Sequence, residues 1–109
     1  MLRRAVLLAG VAPVLASVCA VRTQAEDATI VIDNFVFTPP TITVAAGTRV
    51  VWKNRDDIPH SVVSVAQPPA FRSPALDTDE EFVQVFDKPG TYAYFCGLHP
   101  HMKGTVVVQ

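Results

Sequence analysis

An all-β sandwich is the fold class that this sequence predicts, and three observations carry it. Apolar residues alternate with polar ones over short runs rich in Val, Ile, Thr, Phe and Tyr. Pro, Gly, Asn and Asp punctuate those runs at regular spacing. No helical period outlasts a single loop. From Ala28 onward the pattern yields about seven or eight strands, and 109 residues allow one such domain and no more.

The chain opens with a different kind of segment. Arg3 and Arg4 precede an uncharged, mostly apolar run from Ala5 to Ala20, and small residues offer cleavage after Ala20 or Ala25. This is the layout of a cleavable secretory signal peptide over residues 1–25, leaving 26–109 as the folded domain. A retained membrane anchor is the weaker reading, because the run is short for a span and contains Pro13. A twin-arginine signal and a lipoprotein at Cys19 are minority readings, since the n-region is very short and Val18 stands where a small residue is wanted.

The strands follow in order. Thr29 to Asp33 alternates with Ile30 and Ile32 inward, and Phe35 and Phe37 continue that face until Pro39-Pro40 ends the strand. Thr41 to Ala45 and Arg49 to Asn54, with Gly47 between them, predict a hairpin burying Ile42, Val44, Val50 and Trp52. Residues Arg55 to Pro59 read as a loop, Ser61 to Val65 as a β-branched run, and the proline-rich Pro68 to Asp79 as loop. Glu81 to Phe86 places Phe82 and Phe86 opposite Val83 and Val85. Lys88-Pro89-Gly90 is a turn, Thr91 to Cys96 puts Tyr92 and Tyr94 on one side, and Thr105 to Val108 closes the domain.

Charge and cysteine content narrow the function. Residues 1–25 hold Arg3, Arg4 and Arg22 and no acidic residue, so the remaining 6 basic and 10 acidic residues give a net charge of −4. Nucleic acid is excluded as a partner, because no basic surface exists to neutralise phosphates. Cys19 leaves with the signal, so Cys96 is alone in an exported protein and forms no internal disulfide. A lone thiol in an oxidising compartment is a liability unless it is buried or bound to metal.

Cys96 lies in YFCGLHPHMKG, residues 94–104, with His99 and Met102 at spacing C-x2-H-x2-M. A thiolate, an imidazole and a thioether suit copper, and trigonal His2Cys coordination with a long axial Met describes an electron-transfer copper site. His60, at a loop-to-strand junction after Pro59, supplies the second imidazole, because loops at one end of a sandwich cluster. Each residue alone has an ordinary explanation: a small buried hydrophobe, a gap-filler, a surface loop histidine. The four types together at this spacing make coincidence the weaker account.

With these residues in view, the chain from Ala28 to Val108 resembles the small blue-copper proteins, the cupredoxins, and within them the amicyanin-like members with a short ligand loop. The resemblance rests on F-x-F-x-P-x-x-I-x-V-x-x-G from Phe35 to Gly47, on Val50-x-Trp52-x-Asn54, on Pro59-His60, and on the stretch from Pro89 to Gly104. It implies a Greek-key β-sandwich holding one type 1 copper per chain, with His60, Cys96 and His99 equatorial and Met102 axial. Three positions depart from the family pattern: Ser61 replaces Asn, Gly97 replaces Thr or Ser and so lacks a side chain to tie the ligand loops, and Leu98 replaces Pro. Leucine keeps its backbone N–H, so Leu98 is expected to donate to the Cys96 sulfur beside the Ser61 N–H. His101 stands where the pattern carries Phe.

The function this implies is a periplasmic electron carrier without enzymatic activity, expected to be a monomer. Its partners would be redox proteins such as a c-type cytochrome or a dehydrogenase. Ile58, Pro59, Leu98 and Pro100 would surround the His99 edge, and Asp77, Asp79, Glu80 and Glu81 offer an acidic run to a basic partner. The alternative is a copper-delivery protein, for which His99-Pro100-His101-Met102 would be a handling surface. A thiol enzyme using Cys96 with His99 as base is weaker, since it leaves Met102 idle.

Overall fold

Eight strands form among residues 27–109, which are the residues the computed structural model describes. They are β1 (Ala28–Asp33), β2 (Val36–Thr38), β3 (Thr41–Val44), β4 (Thr48–Asn54), β5 (Val63–Ser64), β6 (Glu81–Phe86), β7 (Gly90–Phe95) and β8 (Lys103–Val108). Two four-stranded sheets result, ordered β2-β1-β4-β6 and β3-β8-β7-β5. β1 with β4 and β3 with β8 are parallel pairs, and the other pairings are antiparallel. The expected all-β sandwich is therefore the fold, with its inward residues meeting in one core around Trp52, Phe37, Tyr94 and Val106.

Two local expectations are corrected. The run from Ile30 to Phe37 is a hairpin, not one strand: β1 and β2 pair antiparallel with Asp33 opposite Val36, leaving Asn34 and Phe35 as a two-residue turn. Both turn residues have positive φ, 53° and 63°, as the right-handed twist of the flanking strands requires. Ile32 and Phe37 face each other and stay buried, while Phe35 leaves the core and is 46% exposed. The second correction concerns β3 and β4, which share no hairpin but lie in opposite sheets. At the bend between them Ala46 N–H donates to Gln109 O and Gly47 N–H to Phe86 O, one bond reaching each sheet. Alternation tells a strand which face is buried, and Val44 and Val50 satisfy it equally well from the two sides of the core.

The other strands follow their patterns. Phe86 is buried while Val83 and Val85 of β6 face out. β5 is shorter than the β-branched run around it, and residues 68–79 carry no strand, although Phe71 and Leu76 from that segment enter the core. Tyr94 packs edge-on to Phe37 at 4.8 Å and to Trp52 at 5.3 Å. Its ring lies over Gly104, where any Cβ would overlap the phenol. The signal peptide and its cleavage sites lie outside the described residues. Among the described residues no helix is long and apolar enough to cross a membrane.

Candidate metal centre

The loop after β4 is built on one buried side chain. Asn54 is fully buried, and its amide nitrogen donates to Ile58 O and to Leu76 O, each at 2.9 Å. Its Oδ1 accepts from the Asp56 N–H at 2.8 Å. These bonds fold Arg55–Pro59 into a compact turn and join it to the 68–79 segment. His60 then exchanges two backbone hydrogen bonds with Leu76, which hold it at the end of the sandwich with no exposed surface.

The second loop closes β7 onto β8, whose last pair is Phe95 with Lys103. Within it Cys96 N–H donates to Met102 O, His99 N–H to Cys96 O and Met102 N–H to His99 O, at 3.0, 3.1 and 2.9 Å. Every one of the three expected ligands on this loop is thus tied by its backbone to another of them. Cys96 and Met102 are buried and His99 is half-buried.

Sequence reasoning placed His60 with this loop, and the geometry agrees. The Cys96 Sγ lies 3.6 Å from His60 Nδ1 and 3.7 Å from His99 Nδ1. One donor atom from each of the three residues lies within 4.8 Å of the others. Met102 sits buried on the same loop. His101 is exposed and outside the cluster.

His60 has a partner on its far side that sequence reasoning missed. Its Nε2 lies 2.8 Å from Asp56 Oδ2, four residues earlier in the chain. A carboxylate there selects the tautomer with the proton on Nε2, which leaves the Nδ1 lone pair directed at the cluster. The hydrogen bond with His60 holds the Asp56 carboxyl below its ordinary value of 3.8, and the Phe35 backbone N–H adds to it, against the opposing effect of burial. A depressed carboxyl stabilises the fold above the pKa of the unfolded chain and loses that contribution as pH falls below it. Metal-free protein is therefore expected to lose melting temperature as pH drops below 3.8 toward the depressed value. In Asp56→Asn that acid limb should flatten; equal acid limbs in the two proteins would refute the assignment.

The departures from the family pattern resolve differently. Ser61 N–H does donate to the Cys96 sulfur, at 3.4 Å. The Leu98 N–H does not: among the described residues the sulfur's hydrogen-bonding neighbours are Ser61 N–H and the two imidazoles. Nor does Gly97 leave the ligand loops untied. Its own N–H donates to Ser61 Oγ at 2.9 Å, so the side chain of the tie comes from the other loop. A Cβ at position 97 would stand 2.8 Å from that hydroxyl and 3.2 Å from Val63 Cγ2, so serine at 61 and glycine at 97 fit as a pair.

The surface around His99 is apolar. Leu98 is 50% exposed, Pro59 and Pro100 are exposed, and Ile58 is partly so. The acidic run is exposed but partly neutralised: Arg55 pairs with Asp79 at 3.2 Å, Lys53 approaches Glu81 at 3.9 Å, and Glu80 accepts the Asp77 N–H.

An all-β sandwich that gathers a thiol, two imidazoles and a thioether-bearing loop at one end defines a class of metal-binding electron-transfer folds. Comparison with known proteins gives it a family. A profile of the cupredoxin-like domain matches residues 5–108, and the chain belongs to that family. Amicyanin from Paracoccus versutus is 32% identical over 95 residues, covering 84% of this chain and 72% of that protein. Among solved structures, a purple cupredoxin from Nitrosopumilus maritimus superposes with a TM-score of 0.71 at 33% identity, covering 75% of this chain and 99% of the other. The Cu(I) form of an amicyanin mutant gives 0.72 at 32% identity, covering 82% and 86%.

Proposed function

We propose that this protein is a periplasmic electron carrier whose one type 1 copper is held by His60, Cys96, His99 and Met102. The observation that carries the reading is the convergence of both Nδ1 atoms on Cys96 Sγ, at 3.6 and 3.7 Å, inside a buried end of the sandwich. Copper bound there supplies a single electron by cycling between Cu(I) and Cu(II). The chain's part is to keep the donors still. Backbone hydrogen bonds pin His60 to Leu76 and close the Cys96–Met102 loop on itself, so neither oxidation state asks the protein to move far. The Ser61 N–H at the sulfur favours the electron-rich reduced centre.

Exchange with a partner runs through the half-buried His99 and the apolar rim around it. A c-type cytochrome or a dehydrogenase is the class of partner that suits this rim, and removal of residues 1–25 on export delivers the domain to the periplasm. Copper added to residues 26–109 should produce an intense blue thiolate-to-Cu(II) absorption and reversible one-electron voltammetry without loss of metal. A colourless copper complex would defeat the reading. Ready transfer of Cu(I) to an acceptor chelator, without reversible cycling, would instead mark a delivery protein.

A further inference from the structure

We infer that Phe35 is a positioning residue for this metal centre: an aromatic clamp, outside both ligand loops, that holds the His99 imidazole and governs how firmly the reduced metal is retained. The inference rests on the copper reading above. The Phe35 ring stands edge-on to both imidazoles, 5.4 Å from His60 at 88° and 5.1 Å from His99 at 89°. The two imidazoles themselves are 4.9 Å apart. Edge-to-face contact of this kind is attractive and directional.

The two histidines need that contact unequally. His60 is already fixed by Asp56 at Nε2 and by Leu76 on either side of its backbone. His99 is half-buried, and among the described residues the hydrogen-bonding and aromatic partners of its ring are the Cys96 sulfur, the His60 ring and Phe35. Among the described residues Phe35 is thus the one aromatic partner of the His99 ring that does not itself belong to the proposed ligand set.

The backbone argues that the ring, not the turn, is what this position is for. Phe35 has φ 63° in a two-residue hairpin turn, where glycine or asparagine fits at lower energy and a bulky residue is an outlier. The side chain gains little burial in return, since it is 46% exposed. Its N–H is anchored at 3.1 Å by Asp56 Oδ2, the same oxygen that lies 2.8 Å from His60 Nε2. One carboxylate oxygen therefore registers the hairpin tip against the buried histidine, and the tip in turn aims its ring at the exposed one.

The test compares Phe35→Gly, which removes the ring while giving the turn its preferred residue, with Phe35→Tyr, which keeps the ring edge. Copper-loaded proteins are reduced, and transfer of Cu(I) to bicinchoninate is timed; the paramagnetic hyperfine splitting of each Cu(II) form and the melting of each metal-free form are recorded. Phe35→Gly should melt no lower than wild type without metal, yet release Cu(I) about tenfold faster, the loss of one good aromatic contact, with altered hyperfine splitting. Phe35→Tyr should match wild type in all three. Wild-type release and splitting in Phe35→Gly would overturn the inference, as would a metal-free Phe35→Gly that melts well below wild type, because the ring would then act through the fold. Failure of the copper reading looks different: the wild-type protein itself would lack the blue band.

Discussion

Cys96→Ser should abolish the blue absorption completely while leaving the folded sandwich in place. The band arises from charge transfer out of a thiolate, and a serine hydroxyl is neither ionised at neutral pH nor soft enough to replace it. Cys96 Sγ is also the atom on which the Ser61 N–H and both imidazole Nδ1 atoms converge, and the other sulfur of the proposed set, that of Met102, is a thioether that cannot supply a thiolate. The substitution exchanges one buried atom for a smaller one, and the loop's backbone bonds do not involve it. Metal-free Cys96→Ser should therefore remain within about 1–2 kcal/mol of wild type by chemical denaturation. Optical and electron-spin spectra of the copper-loaded variant check the first half. A persisting intense band would remove Cys96 from the site.

Asn54→Ala is expected to cost stability on a much larger scale, about 3–5 kcal/mol. The amide is fully buried and makes three hydrogen bonds, to Ile58 O, Leu76 O and Asp56 N–H. Truncation strands all three partners and leaves a void at a fully buried position. Asn54→Asp separates the two causes. It preserves the volume and the Oδ1 acceptor but turns an oxygen toward the two carbonyls and buries a charge, so it should be at least as damaging. Denaturant unfolding of the metal-free proteins measures both. If Asn54→Asp were close to wild type, Asn54 would supply volume rather than hydrogen bonds, and something other than its amide would hold the His60 loop. Copper-loaded Asn54→Ala should also show a broadened site, because Leu76 and Asp56, which hold His60 from two sides, are both released.

The contrast between the proposed ligands and their supports follows from how each is written in the chain. Cys96, His99 and Met102 lie within seven residues of one another, and their types alone are chemically unusual together. His60 became legible by asking what that set lacks. The supports are ordinary residues whose roles depend on distant neighbours. Asp56 reads as one more loop carboxylate until its Oδ2 is seen between His60 and the Phe35 N–H. Gly97 reads as the loss of a tie and Ser61 as a separate departure, whereas together they form a tie across 36 positions. Leu98 shows the opposite error: a freed backbone N–H licensed a hydrogen bond that the loop's geometry does not make.

The same division runs through the fold. Period-two alternation in Ile30–Ile32, Val50–Trp52 and Phe82–Phe86 determined the strands and their inward faces, because burial of one face is a local property of a pleated chain. Sheet membership is not local. Alternation is blind to which of two opposed layers a strand joins, so β3 and β4 read as a hairpin although their backbones bond to different sheets. Phe35 is the sharpest case. By sequence it continues an apolar face; by tertiary structure a primed turn rotates it out of the core and onto two histidines, 25 and 64 residues further along the chain. Residue types and their near neighbours thus set the fold class, the strands and the chemistry of the proposed donors. Which strands share a sheet, and which side chains brace the proposed donors, depend instead on contacts that close long loops and so emerge with the folded chain.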